Sequence, residues 1–371
     1  MWVVWPGPPA PVGVLAGAGR RYADEGRAWW RLGAGAEVHV SPPAWPLDTP
    51  IRLLPRAGAP PPAAVTPLPL VQEMMDQVNL PRLLTYANEL SGQTPALING
   101  QPYVITTRYT TSGTPVTQAV NYMIERLQRL GLTVSTHTWN ASRPPNVIAE
   151  KPGLSPGAGI YIICAHLDDM PSSGLAPGAD DNGSGSIAVL QAAEILTPYH
   201  FDATLRFILF TGEEQGLYGS AAYAQMVQNE DVRGVLNMDM IGRNEEVPAP
   251  APPAAAGGAP QGRGGGGGRF NGLEPQTAES NANALNIIGG VRSPDLRTAI
   301  NAANGSQKLE IRYRYDNNAS QLMRRSDQWP FLQRGVPALG FMTGLHPDYH
   351  TVYDRPEKLS LIHISEPTRP Y

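Results

Sequence analysis

The stretch from Ile163 to Gly185, ICAHLDDMPSSGLAPGADDNGSG, carries four aspartates, one histidine and the only cysteine of the chain within 23 residues. Burying an isolated carboxylate is costly, so such a cluster needs either water around it or a cation among its oxygens. Further along stand the pair Glu213 and Glu214, then Asp239, then His350. Each polar group follows an apolar run that reads as a strand: CAHLD closes one, FTGEE the next, NMDM a third, and DYHTVYD comes after the last. Chemistry in open α/β sheets gathers at the carboxyl ends of the strands, so these groups are expected along one sheet edge.

Two zinc ions would balance that edge. They carry +4; Asp180, Glu214 and Asp239 would return −3, and a bridging hydroxide would bring the sum to zero. Three carboxylates and the two imidazoles of His166 and His350 divide into two tetrahedral sets if one aspartate bridges them. Metal pairs about 3.5 to 4 Å apart are the arrangement that hydrolytic enzymes such as aminopeptidases use. His166 and Asp168 are two apart on a strand and project from one face, so the Asp168 carboxylate is expected to accept the second imidazole N–H, with Asp169 facing the other way. Glu213 and Glu214 would point to opposite faces of a regular strand, but Gly212 and Gly216 let the chain leave that geometry. One glutamate then holds metal while its neighbour carries a proton.

The elements that position these residues follow from periodicity. Helical spacing runs through LVQEMMDQVNLPRLLTYANELSG and through TQAVNYMIERLQRLGL, where Val120, Ile124, Leu127 and Leu130 share a face before Gly131. Strands are expected at LTVSTHTW, NVIAEK and GIYIICAHLD. They are followed by a helix over 184–196, the strand TLRFILFTGEE, a helix over 216–228, the strand RGVLNMDMIG, a long helical region over 281–303, the strand LEIRYRY, a helix over 327–334 and the strand PALGFMTG. The alternation predicts a single α/β domain over 67–359, a three-layer sandwich with a mostly parallel mixed sheet and helices on both faces. Residues 1–66 hold five of the seven tryptophans amid proline-rich runs with no sustained period, and are expected to be disordered or foreign to the fold. The glycine- and proline-rich segment 246–272 is expected to loop out as an insertion. Its five-glycine run lacks the ending of a phosphate loop.

Composition removes several classes. The net charge of −4 comes with no lysine/arginine stripe, which argues against nucleic acid. No apolar run approaches the roughly 18 residues of a membrane span. Cys164 is alone, so no intrachain disulfide forms, and its strand position reads as core packing. The apolar start MWVVWPGPPAPVGVL lacks a basic region and is broken by prolines, unlike a secretory signal.

HLD, GADDNGSG, FTGEEQGLYGS, NMDMIG, RSDQWPFLQRGVPALGF and HPDYHTVYD, in this order and spacing, resemble the zinc aminopeptidase family numbered twenty-eight among the metallopeptidases. Relatives in that family include glutamate carboxypeptidases, glutaminyl cyclases and the transferrin receptor. The resemblance covers about Leu68 to Leu359. It implies His166 and Asp239 on one zinc, Glu214 and His350 on the other, and Asp180 bridging. It further implies Glu213 as the general base, Asp168 as the carboxylate behind the metal-binding histidine, and Tyr349 as donor to the tetrahedral oxyanion. Glu213 would take a proton from metal-bound water and return it to the leaving amine of an N-terminal peptide bond. Relatives that are secreted or periplasmic set the same expectation for this chain. Two other readings share the scaffold: a glutaminyl cyclase with one working zinc, and a non-catalytic binding domain.

The chain departs from the family at Gln328, where many relatives carry histidine, and after Leu359, where SLIHISEPTRPY replaces an amphipathic helix and residues 360–371 read as a non-native tail. Plainer roles are expected for Asp181 (fixing its loop or capping the next helix), Asp327 (capping its own helix) and Asp354 (tying down the loop after His350). His346 lies close to His350 but precedes a proline, and is expected mainly outside the substrate site.

Overall fold

The computed structural model describes residues 69–243, 284–307, 309–314, 316 and 322–360, together with the backbone of four strands nearer the amino terminus. The chain divides into two compact units, Met1–Ala64 with Gln333–Gly335, and Val65–Leu332 with Val336–Tyr371. In the first, β1 (Trp2–Trp5), β2 (Ala18–Asp24), β3 (Arg27–Leu32) and β4 (Leu53–Leu54) form an antiparallel sheet in the order β2-β3-β1-β4. The expected insertion at 246–272 and residues 361–371 of the expected tail lie outside the described residues.

The second unit begins with α1 (Pro69–Asp76) and α2 (Leu80–Leu90). The helical spacing that spans both is broken at Asn79, whose side chain accepts from the Arg82 N–H and, with Pro81 behind it, starts a new helix. β5 (Ala96–Ile98) and β6 (Gln101–Tyr103) pair as a hairpin through Asn99-Gly100, both at positive φ, the pairing a two-residue turn of this hand demands. Then come α3 (Thr114–Gln128), β7 (Thr133–His137), β8 (Asn146–Lys151), β9 (Ile160–His166), a short irregular turn over Ala179–Ser184, and α4 (Gly185–Leu196). β10 (Thr204–Phe210), α5 (Tyr218–Met226), β11 (Val232–Met238), β12 (Ala284–Ile288), α6 (Pro294–Gln307), β13 (Glu310–Tyr313), α7 (Gln328–Gln333) and β14 (Ala338–Met342) complete the series.

One sheet of eight strands, in the order β13-β12-β14-β11-β9-β10-β8-β7, organises this unit. β14, β11, β9 and β10 run parallel, and antiparallel pairs flank them at β12 and β8. Residues of β9 alternate between two cores: Tyr161, Ile163 and Ala165 pack with α2, α3 and α4, whereas Ile162 and Cys164 pack with α5 and α7. Helices therefore cover both faces, as the α/β sandwich requires. Cys164 is buried core, with its thiol beside Asn237.

One element corrects the reading from periodicity. Residues 284–288 of the expected long helix form β12, and the helix starts at Pro294. The run ALNII is buried at all but one position and is closed by Gly289-Gly290, which suits a short core strand better than the start of a helix. Among the described residues no helix is long and apolar enough to cross a membrane.

Candidate metal centre

Because β14, β11, β9 and β10 are parallel, their carboxyl ends lie on one side of the sheet. His166 is the last residue of β9, Glu213 and Glu214 follow β10, Asp239 follows β11 directly, and His350 lies in the loop beyond β14. The structure brings all five together, with Asp181 at their centre. His166 Nε2 lies 3.3 Å from Asp181 Oδ1 and 3.5 Å from Asp239 Oδ1. His350 Nε2 lies 3.0 Å from Asp181 Oδ2 and 2.9 Å from Glu214 Oε2. Each oxygen of one carboxylate thus faces a different histidine.

These distances test the fit of zinc. Ligand atoms at about 2.0–2.1 Å from a tetrahedral zinc stand about 3.3 Å from one another along the edges of the tetrahedron, close to what is seen. His350 Nε2 is buried and, despite its two close carboxylates, makes no contact with hydrogen-bond geometry. Its ring nitrogen stands almost equally far from one oxygen of Asp181 and one of Glu214, at 3.0 and 2.9 Å. His166 Nδ1 stands 3.0 Å from the Asp168 carbonyl; as donor to it, the ring keeps the lone pair on Nε2 for the centre. The donor set of two imidazoles and carboxylates fits zinc.

The expected bridge, Asp180, is not in this centre. Its Oδ1 accepts from the Gly242 N–H at 2.7 Å, and its Oδ2 lies 3.3 Å from His346 Nε2. Gly178 precedes the pair at φ +45°, where a Cβ would collide with Asp169 and with the Asp181 carbonyl, and Asp181 is extended at φ −105°, ψ 96°. Consecutive side chains in such a turn point apart, which sends Asp181 inward and Asp180 behind. Asp354 accepts from both backbone N–H groups, of Asp180 at 3.0 Å and of Asp181 at 2.9 Å, so it fixes this turn rather than the loop after His350. Asn182 ties the same turn to the Asp239 segment, accepting from Gly185 and Met240 and donating to the Met238 carbonyl.

Asp168 also acts differently from expectation. Its carboxylate stands 3.9 Å from His166 Nδ1 and instead accepts from Thr110 Oγ1 at 2.9 Å and from the N–H groups of Glu213 and Glu214 at 3.3 and 3.2 Å. It orients the glutamate pair, while its backbone carbonyl orients the histidine. Gly212 at φ +78° begins the turn that presents the pair, and a Cβ there would strike the Trp139 ring. Leu217, Met240 and His350 hold positive φ without being glycine, so three of the four such residues among the described ones lie beside the centre. Strained backbone of this kind persists where surrounding packing enforces it.

One supporting residue escaped sequence reasoning. Arg108 is wholly buried; it donates to the carbonyls of Leu90, Leu167, Pro177 and Gly178 and pairs with Asp169 at 3.3 Å. It thereby joins the strand end bearing His166 to the turn bearing Asp181. Burial pushes the Asp169 carboxyl up to about 7 even with this partner. Arg108→Met would remove the charge partner of the buried Asp169 carboxyl and the donors to four carbonyls, and a loss of about 3–5 kcal/mol is expected in urea unfolding.

The centre opens into a cavity of about 280 Å³ lined by Glu213, Tyr349, Met240, Leu322, Phe341 and Gln328 among others. Burial pushes the Glu213 carboxyl well above the usual carboxylate range, and Glu214 up to about 8. Burial opposes charge on His350, but Asp181 and Glu214 outweigh it and hold the imidazolium up to about 10. Tyr349 lines the cavity with its ring stacked on His350 at 3.7 Å, and burial beside the carboxylates raises its phenol, which stays protonated. Gln328 reaches the cavity wall, but its amide is engaged by Asn237 and by the Met323 carbonyl. Asp327 is buried below the centre and does not cap α7; burial pushes it up to about 7. His346 is buried against Asp180, away from the cavity lining.

The family model described as peptidase family M28 matches residues 146–260 and 273–366, more than half of the chain. The chain belongs to peptidase family M28. A probable zinc metalloprotease of Pyrenophora tritici-repentis is 32% identical over 213 residues, 53% of this chain and 41% of that protein. Leucine aminopeptidase 2 of Trichophyton equinum is 28% identical over 219 residues, 58% of this chain and 36% of that protein. The matched region thus spans about two-fifths of these relatives. Among solved structures, LapA of Legionella pneumophila superposes with a TM-score of 0.60 at 18% identity, covering 80% of this chain and 72% of LapA. A glutaminyl cyclase of Fimbriiglobus ruber superposes at 0.56 and 15% identity, covering 78% of this chain and 92% of the cyclase. Both share the α/β sandwich fold of this chain.

Proposed function

We propose that this M28 chain is a zinc-dependent aminopeptidase working with two metal ions. The observation that carries the reading is Asp181, whose two oxygens face His166 with Asp239 on one side and His350 with Glu214 on the other. Asp181 replaces Asp180 as the bridging ligand in this reading. Zinc held by these residues would supply Lewis acidity to the scissile carbonyl and would lower the pKa of water. Glu213, in the cavity and not needed for either ligand set, takes the proton of the attacking water and delivers it to the leaving amine; its raised pKa suits both steps. The protonated Tyr349 phenol donates to the oxyanion that forms at the carbonyl. Asp168 holds the glutamate pair in register for this transfer.

The test is hydrolysis of a panel of aminoacyl amides and blocked peptides, with and without a chelator. Release of free N-terminal amino acids, lost on chelation and restored by zinc, is expected. Cleavage only of N-blocked substrates, or activity indifferent to chelation, would overturn the reading.

Protons and zinc compete for the same atoms. Without zinc, His350 keeps its proton to about pH 10 and Glu214 to about 8, both above ordinary values, so the folded chain binds more protons than the unfolded one. Stability from His350 is then full below about pH 6.5 and is lost as pH rises toward 10; that from Glu214 is lost between about 4.3 and 8. The melting temperature of chelated protein is therefore expected to fall from pH 6 to pH 10, and zinc to reverse the fall. A melting temperature that rises with pH in chelator would contradict these assignments.

A further inference from the structure

The cavity that holds the carboxylate-rich centre is also lined by two adjacent arginines, Arg324 and Arg325. Zinc already supplies positive charge to such a centre, so the ions give no reason for a second cationic pair in the same space. The arginines report instead on what enters. Arg324 is exposed, and its guanidinium carbon stands 5.3 Å from the centroid of the Trp329 ring, which Arg292 approaches to the same distance. Among the described residues no carboxylate pairs with Arg324. An arginine held by its face on an indole keeps its N–H edge for an acceptor, and that edge matches a carboxylate with two parallel hydrogen bonds. The remaining lining, including Leu322, Phe341 and Met342, is apolar.

Size narrows the ligand. About 280 Å³ is at the small end of ligand pockets and holds roughly one or two residues beside the centre. A carboxylate that reaches the arginines must therefore lie close to the bond at the metal centre. We propose that Arg324 and Arg325 form a carboxylate subsite, so that preferred substrates are very short peptides carrying a carboxylate beside the scissile residue. That group is supplied either by the C-terminus of a dipeptide or by an acidic side chain.

The inference rests on the peptidase reading above, and its test separates the two. On the zinc-loaded full chain, kcat/KM is compared for leucyl-alanine, leucyl-alanine amide and leucyl-aspartyl amide, whose main-chain carboxyl is amidated and whose side-chain carboxylate is free. The carboxylate-bearing substrates are expected to exceed the neutral amide by about tenfold. Preference for leucyl-alanine alone identifies the main-chain carboxylate as the source, and preference for leucyl-aspartyl amide identifies the side chain. In R324M/R325M the ratio should fall to within about twofold of unity, with R324K/R325K intermediate because lysine keeps the charge but not the fork. A ratio near unity in the parent chain, or one unchanged in both variants, overturns the subsite. If no substrate is cleaved, the peptidase reading fails. Calorimetric binding of leucyl-alanine against its amide then decides the subsite alone: a tenfold preference supports it, and equal affinity rejects it.

Discussion

Replacing Glu213 by glutamine is expected to lower kcat by about 10²–10⁴-fold while the protein still binds zinc at the parent stoichiometry. Glutamine keeps the shape of the side chain and leaves the Glu213 N–H bond to Asp168 in place, because that bond is made by the backbone. It removes only the oxygen able to take and return a proton. The carboxylates that face the histidines most closely, Asp181, Glu214 and Asp239, are untouched. Metal content by mass spectrometry and turnover of a leucyl amide, measured on one preparation, check the result. Activity within about tenfold of the parent would assign the base elsewhere, and loss of zinc would make Glu213 a ligand, which its approach to His166 and Asp239 within 4.8 Å also permits.

The second large effect separates two neighbours that composition cannot tell apart. Asp181→Asn takes charge from the carboxylate shared by both histidines, and more than about a 100-fold loss of zinc affinity is expected, with at least one ion lost. Asp180→Asn leaves the shared carboxylate intact and weakens only the support behind it, through Gly242 and His346. Its expected cost is about 10-fold in zinc affinity, at the lower end for residues that orient ligands. Zinc titration against a competing chelator measures both. A larger effect at Asp180 than at Asp181 would refute the placement of the turn.

The sheet and its polar edge were legible because strand ends announce themselves: an apolar run of period two or a buried run, then a carboxylate or histidine, as at CAHLD, FTGEE and NMDM. His166, Glu213, Glu214, Asp239, Tyr349 and His350 all reach the cavity for that reason. The aspartate pair was not legible in the same way. Which of two consecutive residues faces inward depends on the backbone dihedrals of the turn, and those are set by Gly178 and by an Asp354 carboxylate 174 residues away. Arg108 was hidden for a similar cause: its partners are mostly carbonyl oxygens, which leave no mark in a sequence. β12 was misread because five apolar-rich residues carry too little period to distinguish strand from helix.

The wide separation of Asp354 and His350 from the residues they complete has a bearing on biosynthesis. As the polypeptide emerges from the ribosome, His166, Asp181, Glu214 and Asp239 are made long before the imidazole that faces two of them. Until that late segment arrives, the nascent chain carries an acidic cluster lacking one counterpart and a turn without its clamp. A centre that draws on both imidazoles is therefore complete only once the segment bearing His350 and Asp354 has been made.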